Sequence, residues 1–174
     1  MSRNAKILID LAVLAAVYGI WLLPKWRRLG KRPLLVYTLM YGCLAGIARF
    51  TLMPVLTALP YCFDHPYIPM HMAPFEDVIL RHGDYVRQIV LNVILFVPFG
   101  VLLPLCDRCR GRRPRFWRCL LLTLALSAGI ELVQPLLHSF RSSDITDVIT
   151  NTIGGVLGYV LWAIVHACRK KRED

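Results

Sequence analysis

The chain is short of acid. Against 21 Lys and Arg it sets only 11 Asp and Glu, and charged residues of all kinds make up 18% of its 174 positions. Soluble domains carry roughly a quarter charged residues, so 56% hydrophobic content and a mean hydropathy of +0.52 point to a membrane protein and away from a soluble globule. Other absences narrow the chemistry. No H-E-x-x-H or similarly compact cluster marks a metalloenzyme. Neither Ser127 nor Ser142 sits in a nucleophile elbow or at triad spacing. Of six scattered cysteines only Cys106 and Cys109 form a C-x-x-C pair, and a zinc site needs two further ligands, so these read as free thiols. With no internal repeat and no low-complexity linker, a single domain over residues 1–174 is expected, holding neither metal nor cofactor.

What the chain does have is long apolar runs. Those at about 7–23, 34–57, 88–105, 119–138 and 145–167 reach the roughly 17 to 25 residues that cross a hydrocarbon core. The expected fold is all-α: a polytopic integral membrane bundle of five transmembrane helices. The first run could be mistaken for a secretory signal. Asp10 within it, the lack of an A-x-A site and the five positive charges that follow mark it as a retained span. Five basic residues fall in PKWRRLGKRP (24–33), six in CDRCRGRRPRFWR (106–118) and four in the tail RKKRED. Pairs of spans separate these segments, so a membrane gathers all three on one side, which the positive-inside rule makes cytoplasmic. The N-terminus is then outside and the C-terminus cytoplasmic. Basic charge confined in this way describes topology and contact with anionic head groups, and it argues against a nucleic-acid partner. Residues 58–87, with four acids, four prolines and five aromatics, read as an outer segment lying along the interface.

An ionisable side chain at mid-membrane costs roughly 2.5 to 3.5 kcal/mol on insertion scales, so each one needs a reason. Direction supplies it. Arg49 lies about 22 Å along the outward second helix at 1.5 Å per residue. Asn92 is near the outer start of the third helix, Glu131 and Gln134 near the outer end of the fourth, and Asp144, Asp147 and Asn151 open the fifth. Asp10 falls in the outer half of the first. At 100° per residue Thr123, Ser127, Glu131, Gln134 and His138 share one stripe, and Asp144, Asp147, Asn151, Gly155 and Gly158 share another, opposite an apolar face of Ile149, Ile153, Val156 and Val160. Gly154 to Gly158 and Gly42 to Gly46 have the G-x-x-x-G spacing of close helix pairs. Pro54, Pro98 and Pro135 are candidate kinks.

Four stretches carry a resemblance: RFTLMP (49–54), APFEDVI (73–79), NVILFVPFG (92–100), and SAGIELVQ with RSSDITDVITNTIGGVLGY (127–134 and 141–159). The chain is similar to the VanZ-like family of bacterial membrane proteins, with the most specific motifs within 92–159. The resemblance implies a multi-pass protein of the bacterial cytoplasmic (inner) membrane and an association with low-level resistance to the glycopeptide teicoplanin. It supplies no catalytic residues.

Two functional classes follow. In the first, Arg49, Asn92, Glu131, Gln134, Arg141, Asp144, Asp147 and Asn151 line an outward-facing site for a membrane lipid or lipid-linked envelope component, with arginines on phosphate and acids orienting them. In the second, the protein is an intramembrane hydrolase or transferase, Glu131 acting as acid or base with Asp144 or Asp147 as second carboxylate. A small transporter is disfavoured because five spans show no inverted repeat. Against all of these stands a scaffold: Arg49, Glu131, Asp144 and Asp147 as a buried ion network, and Asn92, Gln134 and Asn151 as interhelical hydrogen-bonding groups.

Overall fold

The computed structural model describes residues 2–64, 66–81, 83–137 and 143–173. Among these, five helices are long and apolar enough to cross a membrane: α1 (Arg3–Arg27), α2 (Lys31–Thr51), α3 (Tyr85–Cys109), α4 (Phe116–Leu137) and α5 (Ile145–Glu173). The expectation of an all-α, five-span bundle holds, and the helices lie within a few residues of where the apolar runs place them. α5 is the hub, packing on both α3 and α4, while α3 and α4 touch each other little.

Pro24 explains a local irregularity in α1. A proline ring clashes with the carbonyl one turn back and donates no hydrogen bond. The helix responds with a π turn at Tyr18–Leu22, in which the Leu23 N–H reaches the Tyr18 carbonyl. α1 then reverses into α2 through Gly30, whose φ of 99° is open to glycine and strained for other residues. Tyr41 Oη donates to the Leu14 carbonyl at 2.8 Å and Tyr18 bonds Thr38 at 2.9 Å, fastening the two helices.

Two sequence expectations change here. Pro54 does not kink α2. It ends it, because the residue before a proline is pushed out of helical geometry and the proline has no N–H to donate. The helix stops at Thr51 and the Met53–Pro54 peptide is cis. Asp10 does not join the polar groups of the other helices either. Only 4% exposed, it accepts the Val55 and Leu56 N–H groups at 2.5 and 3.1 Å, satisfying backbone donors where the chain leaves α2.

The interior inverts the pattern of a soluble bundle. Ile47, Phe96, Phe99, Leu103, Cys119 and Ile130 form an apolar core, yet Thr123, Ser127, Glu131, Gln134 and Asn151 are at most 2% exposed. Ile153 and Val160, on the predicted apolar face of α5, are exposed as lipid-facing residues should be. The glycines sort into two kinds. A Cβ on Gly154 or Gly158 would strike the Val93 or Val97 carbonyl, and one on Gly100 would strike Gly155, so α3 and α5 approach backbone to backbone. Gly42 and Gly46 meet nothing within 4 Å, so of the two G-x-x-x-G spacings only that in α5 is a contact.

The three basic segments meet at one end of the bundle. The Arg110 guanidinium lies 5.8 Å from the Tyr37 ring, Arg108 reaches His166 at 3.1 Å, and Arg118 pairs with buried Asp107. The polar side chains gather at the other end.

Candidate functional site

The site is built around the start of α5. Asp144 is its N-cap residue: Oδ1 accepts the Thr146 N–H at 2.7 Å. Asp147, three positions on, is where a capping box would put an acid reaching back to the N-cap N–H. That N–H is already taken, because the Asp144 amide donates to Glu131 Oε2 on α4 at 3.2 Å. Asp147 therefore turns towards α3, where Oδ1 accepts from Asn92 Nδ2 at 2.7 Å and Gln88 Nε2 at 3.0 Å. The positive end of the helix dipole favours both acids at this point.

A strand-like strap from the 58–87 segment closes the arrangement. His71 donates its N–H to the Ser143 carbonyl at 2.8 Å and accepts from the Ile145 N–H at 3.0 Å. The Phe75 N–H donates to Thr146 Oγ1 at 2.9 Å, and Ser143 Oγ donates to the Glu131 carbonyl. Deeper in, Gln134 Nε2 donates to the Thr51 carbonyl at 3.1 Å, covering an acceptor that the end of α2 leaves open. Asn151 Nδ2 donates to Ser127 Oγ at 2.9 Å, while its Oδ1, buried, has no donor among the described residues.

These groups border a cleft of about 690 Å³. Asn92, Glu131, Gln134, Asp144, Asp147 and Asn151 all line it. So do residues not singled out from the sequence: Asp77 and Asp84 from the strap segment, and Arg87 and Gln88 from the first turn of α3. For the two aspartates the available signal is the acid content of 58–87; Arg87 and Gln88 carry none. Phe50, Leu91 and Leu95 supply an apolar side. Arg49 stands beside the cleft and not in its lining; its guanidinium sits 5.8 Å from the Phe50 ring, and Phe50 and Thr51 are what α2 contributes. Arg141 and His138 lie outside the described residues. Five carboxylates and one guanidinium among the described lining make the wall rich in acceptors, suited to hydroxyl, amide and amine donors.

Five apolar spans with buried polar groups define a multi-pass membrane protein. A family model described as VanZ/LLP1 matches residues 43–166, and the chain belongs to that family. It is 41% identical over 113 residues to Protein VanZ of Enterococcus faecium, a match that covers 64% of this chain and 64% of that relative. No solved structure matches the chain significantly.

Proposed function

We propose that the cleft opens to the extracytoplasmic leaflet and holds the head group of a lipid-linked envelope component, and that through it the protein contributes to resistance towards glycopeptides of the teicoplanin type. The observation that carries this reading is the cleft itself. Its volume is that of a ligand site, roughly 300 to 1,000 Å³, it is polar on three helices, and Asn151, whose buried Oδ1 has no donor among the described residues, is one of its lining residues. A sugar or peptide head offers donors to such a wall, Arg87 is placed for a phosphate, and the lipid tail continues along Phe50, Leu91 and Leu95.

The orientation rests on the basic end being cytoplasmic. In a Cys62→Ser background, cysteines engineered at 112 or 113 should resist a membrane-impermeant thiol reagent applied to intact cells and react after permeabilisation; strong labelling of intact cells would overturn the orientation.

Glu131→Gln separates binding from intramembrane acid-base catalysis. The glutamine carbonyl can still accept the Asp144 N–H, so the scaffold bond survives while proton transfer is lost. A binding protein should lose roughly three- to tenfold in co-purified lipid-linked species, the scale of one weakened charge-assisted hydrogen bond, and keep part of its glycopeptide protection. Complete loss of protection with unchanged lipid binding would favour the enzyme. If both Glu131→Gln and Asp147→Asn leave bound lipid and drug susceptibility unchanged in a folded, inserted protein, the site has no ligand.

A further inference from the structure

At the opposite end of the bundle, a second groove of about 900 Å³ runs between α3 and α5. Its mouth carries Arg32 from the start of α2, Arg108 from α3 and Arg169 from α5. Among the described residues none of these guanidiniums is paired with a carboxylate; nearby Asp107 is occupied by Arg118. One of the three is held in place. Arg108 Nη1 is 3.1 Å from His166 Nδ1, and since a guanidinium has only donors to offer, the ring nitrogen is the acceptor in this contact. The imidazole is in turn stacked on Trp162, with ring centroids 5.3 Å apart and planes 20° from parallel. Behind the charges the wall is apolar, with Val101 and Leu105 on α3 and Leu161 and Val165 on α5; Leu161 is 51% and Val165 53% exposed.

Three converging cations at the mouth of an apolar channel between spanning helices have the shape and charge of a seat for one lipid. We infer that this groove binds an anionic phospholipid, its phosphate on Arg108, Arg169 and Arg32 and one acyl chain along Leu161 and Val165. Basic pockets between transmembrane helices recognise such head groups, whereas a loop with only topological charge attracts them without a defined place for the tail. The inference is independent of the polar cleft and of its proposed ligand.

Purified full-length protein, incubated with phosphatidylglycerol or with phosphatidylcholine and examined by native mass spectrometry, tests it. Phosphatidylglycerol should be retained at one copy and phosphatidylcholine should not. The Arg108→Gln/Arg169→Gln pair should reduce retention by roughly tenfold or more, in line with two lost basic contacts. The Arg112→Gln/Arg113→Gln pair removes the same charge from the α3–α4 loop, outside the groove, and should change retention less than about twofold. Val165→Trp, which fills the apolar wall and leaves every charge in place, should also reduce retention. Equal losses from both arginine pairs or no effect of Val165→Trp would show diffuse charge attraction, and retention of phosphatidylcholine alongside phosphatidylglycerol would show binding that ignores the head group; each would overturn the site.

Discussion

Gly100→Ala and Gly158→Ala each destabilise the purified protein by about 3 kcal/mol, the upper range for overpacking a tight interface, whereas Gly42→Ala and Gly46→Ala leave it within about 0.5 kcal/mol. Adding one methyl group is the smallest possible side-chain change, so the contrast comes from what the methyl meets. At Gly100 and Gly158 it meets the backbone of the facing helix, which cannot rotate aside as a side chain can. Relief requires α3 and α5 to separate, and every contact along their shared length weakens with distance. Gly155 is an intermediate case. Its added Cβ falls 2.5 Å from Thr123 Oγ1, but that hydroxyl is fully buried and already donates to the Cys119 carbonyl at 2.8 Å, so it has little room to yield. Thermal unfolding in detergent, followed by loss of the monodisperse species, reads all five variants. If alanine at positions 42 and 46 proves as harmful as at 100 and 158, the α3–α5 interface is not what these glycines serve.

The second large effect concerns Asp107 and Arg118, whose exposures are unequal. The Asp107 side chain is 4% exposed and the Arg118 side chain 30%. Removing the arginine strands a buried carboxylate, so Arg118→Ala should cost about 3 to 5 kcal/mol. Removing the aspartate leaves an arginine whose head can swing towards water along its own apolar stem, so Asp107→Ala should cost clearly less. The double variant should be more stable than Arg118→Ala alone. Stability measurements on the two single variants and the double variant close the cycle, and a double variant no better than Arg118→Ala would mean that the two residues act separately.

The spans were legible because hydropathy and basic-loop placement report on the same physics, the cost of carrying charge through lipid. The stripes of α4 and α5 were legible because both helices run regularly from residue to residue: Thr123, Ser127, Glu131 and Gln134 are indeed the buried face of α4. Other features left weaker traces. Arg87 lies just before the apolar run at 88–105 and Gln88 is its first residue, yet α3 begins at Tyr85 and puts both in its first turn. His71 joins the strap to α5 through backbone groups alone, and backbone pairing has no side-chain signature. Arg49 has the right depth, and depth says nothing about which way a side chain turns. A G-x-x-x-G spacing shows that a helix can be approached closely and does not say whether another helix is there. By sequence the acids of RSSDITDVI are candidate ligands or members of an ion network. Asp144 is partly spent as a helix cap and Glu131 as acceptor of the cap's own N–H, a division of labour that depends on the fold around them.

The central place of α5 bears on how the protein is made. α3 and α4 leave the ribosome before it, and they have little to bind in one another. Until α5 enters the bilayer, Gly100 of α3 and the polar stripe of α4 lack the helix they pack on, and the cleft lacks the wall that carries Asp144, Asp147 and Asn151. α1, α2 and α3 can already pack on one another as they emerge, so what waits for α5 is the joining of α3 to α4, made when α5 slots between them.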